Sequence, residues 1–315
     1  MQLAIVILNY KTPQLVIDCL QSLCSEVDAT AHRVIVVDND SNDGSVEIIQ
    51  GAIATHGWGT WAEVLASKVN GGFSAGNNLG IQAVDADAYL LLNSDTIIRP
   101  GAIATLLKTL EEHPEAGIVS PRLEWPDATP QISCFRYHSP VSELLNAAAT
   151  GPLTTLFRHY DVPLPVAEQP ITPEWTSFAC VLIRKEVIEK VGLMDKGYFM
   201  YYEDVDYCQR TRRMGWTILH NPTAHVVHLR GGSGSTKSDV AQRKRPRPYL
   251  YASRSRYFSK FYGPLGLWFA NILWLLGRGI SFLREIIGHK QPHTCQYAEQ
   301  DIWTNWLNPL KPADS

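Results

Sequence analysis

Acidic and amide side chains recur at four places in this chain, with the types and spacing needed to bind a charged ligand. The four segments are Asp38-Asn39-Asp40-Ser41, the glycine-rich residues 70–78, Asn93-Ser94-Asp95 and Glu203-Asp204-Val205-Asp206. Carboxylates accept hydrogen bonds, hold divalent cations and take protons, and a glycine-rich turn that opens a helix favours anions. As an ordered set, the segments predict a nucleotide-diphosphate site with a metal ion and a carboxylate base.

Each of the first three segments also has a purely structural interpretation. Asp38 follows an apolar run and can receive hydrogen bonds from a nucleoside, but the Asp-Asn-Asp-Ser-Asn-Asp-Gly sequence around it is also typical of a turn. Residues 70–78 lack both the glycine spacing of a dinucleotide-binding loop and the Gly-Lys-Ser/Thr of a P-loop. Asp95 can hold Mg²⁺ or Mn²⁺, or can simply lie in the turn that ends a strand.

The acidic segment at residues 203–206 has two interpretations as well. Three carboxylates within four residues suit a proton acceptor, whereas acids in the first turn of a helix also favour the helix dipole. His225 and His228 come later in the chain. A histidine is more often structural, but one of these beside a metal-bound diphosphate would be a reasonable ligand.

Apolar runs and helical periodicities alternate over the first 120 residues. Strands are predicted at residues 3–8, 33–37, 61–66 and 88–92, and helices at the segment that Thr12-Pro13 opens, after Ser45, at 76–84 and at 100–113. This alternation predicts a doubly wound, mainly parallel sheet, in which ligands bind beyond the carboxyl ends of the strands.

The remaining elements are less regular. Strands are predicted at residues 117–123, 131–135, 175–184, 216–219 and 224–229, and helices at 185–191 and 204–214. Residues 141–173, which are rich in Ala, Pro and Thr, receive no assignment.

Length, composition and cysteine content narrow the class of protein. The chain has 315 residues and is 45% hydrophobic, which is enough for one large globular domain or two small ones. Its six cysteines include no C-x-x-C pair and indicate reduced thiols rather than disulfides or a zinc site. The first residues lack a basic segment and a cleavage site, and therefore predict a buried strand rather than a signal peptide.

The segment from Val240 to Arg284 carries nine Lys or Arg residues and no Asp or Glu. It includes an apolar run of 12 residues from Leu265 to Leu276, shorter than the ~20 residues that span a bilayer. Two tryptophans in this segment, with cations on either side, are typical of a helix lying in the membrane interface. Packing on the protein's own core or on a second subunit is the alternative. The basic residues 243–247 lie in no recognisable nucleic-acid module, so no nucleic acid is expected as a partner.

With these residues in view, the chain resembles the inverting glycosyltransferases of family 2, in particular the branch of bacterial rhamnosyltransferases and O-antigen enzymes. The resemblance covers about residues 3–230, and its most specific part is residues 191–206, followed by Gly215-Trp216 and Val227-His228. It implies an α/β GT-A fold, a Rossmann-like and mainly parallel sheet flanked by helices. Residues 1–235 would form this domain, with a nucleotide-sugar half at about 1–120 and an acceptor half at about 121–235. Residues 236–315 would form a basic, Trp-rich, amphipathic helical extension.

The resemblance also implies roles for single residues. The nucleotide sugar would bind at Asn9, Asp38, Gly72, Asn77, Asn93 and Asp95. Asp95 and His228 would hold a divalent metal, Mg²⁺ or Mn²⁺. Asp204 would be the base that deprotonates the acceptor hydroxyl, and Trp175 and Glu203 would lie at the acceptor. Two residues depart from the family's pattern: Asn93 replaces the first Asp of the general metal motif, and Phe178 stands where relatives often carry Gly.

The implied reaction is the inverting, metal-dependent transfer of a sugar, with L-rhamnose from dTDP-rhamnose as the expected donor. The acceptor would be a hydroxyl of a cell-surface glycan or of a polyprenyl-diphosphate-linked glycan. The protein would be cytoplasmic and peripheral on the inner face of the cytoplasmic membrane, held to anionic lipid through residues 240–287.

Two other classes of protein remain as alternatives. A nucleotidyltransferase would want a glycine-rich loop with Arg or Lys directly after the first strand, where Asn9-Tyr10-Lys11-Thr12-Pro13 stands instead. A non-catalytic nucleotide-sugar-binding protein of the same fold would be expected to lack Asp95 or Asp204, and both are present.

Overall fold

The structure, a computed structural model, describes residues 2–230, 236–289 and 291–312. The chain forms two compact units. The first consists of Met1–Phe135, Pro165–Asp195 and Asp204–Ser233, and the second of Arg136–Leu164, Lys196–Glu203 and Gly234–Ser315. The sequence-based division at residue 235 stays a prediction.

Strands and helices alternate through most of the chain. The strands are β1 (Leu3–Asn9), β2 (His32–Asp38), β3 (Ala62–Ala66), β4 (Ala88–Asn93), β5 (Thr96–Ile98), β6 (Ala116–Glu124), β7 (Cys134–Phe135), β8 (Trp175–Thr176), β9 (Cys180–Arg184) and β10 (Thr217–His228). The helices are α1 (Pro13–Leu23), α2 (Ser45–Thr55), α3 (Gly72–Ala83), α4 (Ala102–Glu112), α5 (Pro140–Ala148), α6 (Gly151–Leu156), α7 (Lys185–Val191), α8 (Glu203–Arg213), α9 (Thr236–Ala241), α10 (Pro248–Ile287) and α11 (Ala298–Asp301).

An eight-stranded sheet organises the first unit, in the order β3-β2-β1-β4-β9-β6-β10-β5. β1 pairs in parallel with β2 and β4, and β2 with β3, whereas β9 is antiparallel to both of its neighbours. The interior strands are buried almost along their whole length because helices cover both faces, which is why they read as continuous apolar runs. The predicted fold class, a mainly parallel sheet flanked by helices, is confirmed.

Two glycines of helix α3 allow the helix to pack closely on β1. A Cβ on Gly76 would overlap the side chain of Leu8, and a Cβ on Gly80 would overlap Val6. These glycines therefore allow close helix–sheet packing, independently of any ligand.

Some element boundaries differ from the predictions. β5 is a three-residue strand that the sequence did not indicate, because a run this short carries no periodicity. β10 is one continuous strand rather than two; it passes Pro222 through a register shift between Asn221 and His225, where a strand tolerates proline. The predicted strand at 175–184 is two strands, β8 and β9, separated by residues 177–179.

The second unit is helical. Ser139 caps α5: its hydroxyl accepts the Ser142 amide, and the Ser142 hydroxyl accepts the Ser139 amide in return. Helix α10 packs against α5, and Gly277 permits the close approach because a Cβ there would overlap the backbone of Leu144 and Ala148. α10 is interrupted at Gly263, which has φ 73°, and Pro264 follows. The predicted helical extension is therefore present.

At least three of the nine cations between Val240 and Arg284 have acidic partners among the described residues of the second unit. Arg254 contacts Glu143 at 2.7 Å, and Arg245 contacts Asp301 at 2.6 Å. Arg278 contacts Glu285 at 2.8 Å and also Glu299. Acids outside the Val240–Arg284 segment therefore compensate these three cations, although the segment itself contains no Asp or Glu.

Candidate active site

The polar ends of three strands meet at one edge of the sheet. In the β1–β2 register Asn9 stands opposite Asp38, and in the β1–β4 register Leu8 stands opposite Asn93. This is the carboxyl edge of the parallel strands, where open α/β sheets bind ligands. The sequence-predicted residues of β1, β2 and β4 are therefore brought together.

Asp38 is held by a dense set of hydrogen bonds. Its carboxylate accepts the Asn9 amide at 2.7 Å, the Ser41 hydroxyl at 2.7 Å and the Ser41 backbone N–H at 3.0 Å. A carboxylate offers about four acceptor positions, so about one remains for a ligand. Asp38 is only 2% exposed, and its first role in the structure is to fix the turn after β2.

The glycine-rich segment is tied to that turn. Asn39 donates to the side chain of Asn70 at 2.7 Å and to the carbonyl of Gly72 at 3.2 Å. Gly72 has φ 79°, in the left-handed region that favours glycine, and begins α3. Asn77 is buried and donates to the Phe73 carbonyl at 3.0 Å.

Asp95 and His228 form a buried pair just beyond β4. His228 Nε2 lies 3.5 Å from Asp95 Oδ1. β10 brings the histidine there, since it pairs antiparallel with β5 and aligns His228 with Thr96. Within the described residues, nothing hydrogen-bonds the buried Nδ1 of His228.

This pair fits a divalent cation by its chemistry. A buried carboxylate beside a buried imidazole offers the oxygen and nitrogen donors that Mn²⁺ accepts, and Mg²⁺ commonly takes one or two carboxylates plus phosphate oxygens. The described residues contain no group of three or more His, Cys, Asp or Glu side chains able to hold a metal. Asp95 and His228 are therefore the residues that would hold such an ion.

His225 serves a different purpose from His228. Its Nδ1 lies 3.1 Å from Glu124, and Arg99 and Arg122 contact the same carboxylate. Glu124 is 1% exposed, so His225, Arg99 and Arg122 together satisfy a buried acid. Of the two histidines, only His228 reaches Asp95 in the structure.

The three acids at the start of α8 differ in their burial and in the groups they contact. Asp206 is fully buried and contacts Arg210 at 2.7 Å, and Arg210 also donates to the carbonyls of Val191 and Leu193. Asp206 is thus an anchor for the preceding segment. Asp204 is half-buried in the first turn, where it accepts the Val205 N–H at 2.9 Å, and Glu203 is 7% exposed.

The aromatic side chains assigned to the acceptor pocket are largely enclosed. Trp175 is 8% exposed and stacks on Phe135 with ring centroids 4.1 Å apart. Phe178 is 3% exposed and meets Tyr207 of α8 edge-on at 6.1 Å. The residue that departs from the family's glycine therefore packs into the interior, against the helix that carries Asp204.

Buried cysteines surround the sheet edge without reactive thiols. Burial raises the pKa of Cys19 to about 12, although Thr96 hydrogen-bonds its sulfur. Burial also raises the pKa of Cys180 and of Cys208. These thiols stay protonated at neutral pH and are not nucleophiles.

Three residues to which the sequence analysis assigned no individual role hold the site together. Ser41 and Asn39 fix the turn after β2, as described above. Asn78 makes two hydrogen bonds to the backbone of Met194, at 2.8 and 3.0 Å, and so joins α3 to the segment before α8. For Asn78, the signal in the sequence was the pair Asn77-Asn78 inside a predicted helix. Asparagine is disfavoured in helix interiors, so two in a row indicate that their side chains make specific hydrogen bonds.

Comparisons with known proteins show which proteins this chain is similar to. The family model described as "Glycosyl transferase family 2" matches residues 4–155. An N-acetylglucosaminyl-diphospho-decaprenol L-rhamnosyltransferase of Mycobacterium tuberculosis is 30% identical over 268 residues, which is 80% of this chain and 81% of the relative. The low-salt glycan biosynthesis hexosyltransferase Agl10 of Haloferax volcanii is 29% identical over 235 residues, covering 72% of this chain and 66% of that protein.

Solved structures show the same fold at low sequence identity. The mannosyltransferase PcManGT of Pyrobaculum calidifontis, in complex with GDP-Man and Mn²⁺, superimposes with a TM-score of 0.57 at 14% identity, covering 98% of this chain and 84% of that one. TarS residues 1–349 of S. aureus gives 0.55 at 14% identity, covering 98% and 80%. At this identity the likeness establishes the GT-A fold alone.

Proposed function

Because the chain is a glycosyltransferase of family 2, in its rhamnosyltransferase branch, we propose that it transfers L-rhamnose from dTDP-rhamnose, with inversion, to a hydroxyl of a polyprenyl-diphosphate-linked or other cell-surface glycan. The observation that carries the proposal is the buried Asp95–His228 pair beyond the end of β4. The relative from Mycobacterium tuberculosis supports the sugar and the lipid-linked acceptor, since its name states both.

The chain's own residues account for the proposed displacement. Asp204 accepts the proton of the acceptor hydroxyl, whose oxygen attacks the anomeric carbon from the face opposite the diphosphate. The bond between that carbon and the diphosphate oxygen breaks, and the anomeric centre inverts. Burial raises the pKa values of the thiols of Cys19, Cys180 and Cys208, and the proposed displacement does not use them.

The leaving group determines what the rest of the site does. Asn9, Asp38, Gly72, Asn77 and Asn93 would bind and orient the nucleotide sugar at the carboxyl edge of the sheet. Asp95 and His228 would hold the divalent ion, which when bound stabilises negative charge on the departing diphosphate. Trp175 and Glu203 remain the proposed acceptor contacts.

A donor panel tests the reaction. The wild-type protein is offered nucleotide sugars and a polyprenyl-diphosphate-linked acceptor, with Mn²⁺, with Mg²⁺ or with chelator, and NMR of the product reports its anomeric configuration. We expect turnover of dTDP-rhamnose with metal only, and a loss of roughly 10²-fold or more in Asp204→Asn. Glu189→Gln is the matched control, because it also changes an acid to its amide, at an exposed position of α7. Retained configuration, or full turnover by Asp204→Asn, would refute the proposal.

We further propose that α10 seats the protein on the membrane face that carries the acceptor. In the part of the chain that the structure describes, α10 is the one helix long and apolar enough to cross a membrane, by length and composition alone. Large apolar side chains after its interruption stay exposed, among them Leu265, Phe269 and Leu276. A partly buried helix with an exposed apolar face suits the membrane interface.

Liposome flotation tests this location. Vesicles with and without anionic lipid are compared for wild type, for Phe269→Gln with Leu276→Gln, and for Leu156→Gln as control, because Leu156 is an exposed leucine of α6 outside α10. We expect wild type and the control to float and the double variant to lose binding. If all three proteins floated equally, or if none of them floated, a membrane role of α10 would be contradicted.

A further inference from the structure

The backbone just before α8 has an uncommon conformation. Tyr201 and Tyr202 have φ values of 70° and 67°, two consecutive non-glycine residues in the left-handed region. Bulky side chains rarely adopt this conformation, and it persists only where surrounding contacts impose it. Asp204 follows two residues later, in the first turn of α8.

The first part of α10, residues 248–262, supplies such contacts. The Ser253 hydroxyl donates to the Met200 carbonyl at 3.0 Å. The ring of Tyr249 lies 5.1 Å from that of Phe199 and 6.3 Å from that of Tyr201. Polar and aromatic contacts thus hold the residues on the N-terminal side of the strained pair.

Tyr202 has its own aromatic partners in the same unit. Its ring lies 5.4 Å from that of Tyr257 and 5.0 Å from that of His138. Tyr257 is fully buried and donates to the His138 carbonyl at 3.2 Å, so it cannot move without disturbing both neighbours. Burial, together with the charge of Arg254, lowers the pKa of His138 to about 4, and its imidazole is therefore neutral within this cluster at pH 7.

Two cations of α10 also face this segment. Arg256 and Lys260 lie over the ring of Tyr198, at 5.4 and 5.7 Å, and Tyr198 is fully buried. A Cβ on Gly197 would overlap the guanidinium of Arg256, which therefore packs directly against the backbone of this segment. Residues 197–202 are thus covered along their length by one helix.

We propose that the first part of α10 is a positioning element for the reaction: through Ser253, Tyr249 and Tyr257 it imposes the strained turn at Tyr201-Tyr202 that sets where α8 begins and how Asp204 is presented. The inference rests on the proposed function of Asp204 as the base. It separates two roles within α10, with residues 248–262 acting on the chemistry and residues 264–287 acting on location.

Two serines of α10 that are two residues apart provide a matched test. Ser253 donates to the Met200 carbonyl, and Ser255 donates to the Thr304 carbonyl at 2.6 Å, away from the turn. Each change to alanine removes one buried hydrogen bond from the same helix. The assay measures single-turnover rates with saturating donor and a detergent-solubilised acceptor, so that membrane docking does not affect the rate.

We expect Ser253→Ala to lower the single-turnover rate about tenfold while donor affinity stays unchanged, since small misplacements of a catalytic group have effects of this size or larger. Ser255→Ala should retain the wild-type rate. In a double-mutant cycle, Ser253→Ala should add little to the loss in Asp204→Asn, because both act on the same proton transfer.

The outcomes distinguish this inference from the proposed function. Equal losses in Ser253→Ala and Ser255→Ala, or losses that multiply in the double variant, would assign Ser253 a general structural role and overturn the inference. Full activity in Asp204→Asn would overturn the assignment of the base itself. A large loss in Asp204→Asn with none in Ser253→Ala or Tyr257→Leu would leave the base in place and refute the positioning role.

Discussion

His228 Nε2 lies 3.5 Å from Asp95 Oδ1, and both side chains are almost fully excluded from solvent. The two residues are far apart in sequence and meet because β10 runs antiparallel to the three-residue strand β5. A buried acid next to a histidine whose Nδ1 has no hydrogen-bond partner in the described structure is a costly arrangement unless it serves a ligand.

We therefore expect His228→Gln to weaken Mn²⁺ binding by at least about tenfold, because it removes one of the two protein donors. Isothermal titration with Mn²⁺ in the presence of dTDP measures this without relying on turnover. His225→Gln is the matched control, since His225 faces Glu124 instead. Equal weakening by the two changes would show that His228 is not a ligand.

Asp206→Asn should act on stability. Asp206 is buried against Arg210, and loss of one partner from a buried pair costs roughly 3 kcal/mol. Urea unfolding should show this loss, whereas the half-buried Asp204→Asn should unfold close to wild type and lose turnover. The reverse pattern, a stable but inactive Asp206→Asn, would make Asp206 the better candidate for the base.

The sequence predicted the sheet edge better than the roles of residues on it. Asn9, Asp38 and Asn93 come together because each ends a long apolar run, and such runs are visible in sequence. Asp204 and Asp206 are chemically alike in sequence, and the contact with Arg210, which only the folded structure shows, identifies Asp206 as an anchor.

The features that were not predicted depend on contacts between residues that are distant in sequence. Residues 141–173 received no assignment, although the Ser139–Ser142 cap of α5 was a readable signal. The ion pairs of Arg254 and Arg278 in α10 were also not predicted. Their partners, Glu143 and Glu299, lie outside the helix, and no local pattern indicates them.

Gly76→Ala should destabilise the first unit. Its Cβ would overlap Leu8, so α3 must shift or Leu8 must leave its rotamer, at a cost of about 1–3 kcal/mol. Gly51→Ala is the control: it lies in α2 with no atom within 4 Å of the new Cβ, and should be neutral or slightly stabilising. Chemical denaturation of both variants checks the pair, and a stable Gly76→Ala would mean that the glycine is needed for something other than packing.

Acid should weaken the first unit through His220. Burial lowers the pKa of this histidine to about 4, from about 6.5 in an unfolded chain. Between these values the unfolded state binds more protons, so the contribution of His220 to stability is present above pH 6.5 and is lost as pH falls toward 4. The full shift corresponds to roughly 3 kcal/mol. Urea unfolding at pH 7 and pH 4.5 should therefore show a smaller acid loss in His220→Gln than in wild type, while the exposed His56→Gln should follow wild type; identical pH dependence in all three proteins would place the acid sensitivity elsewhere.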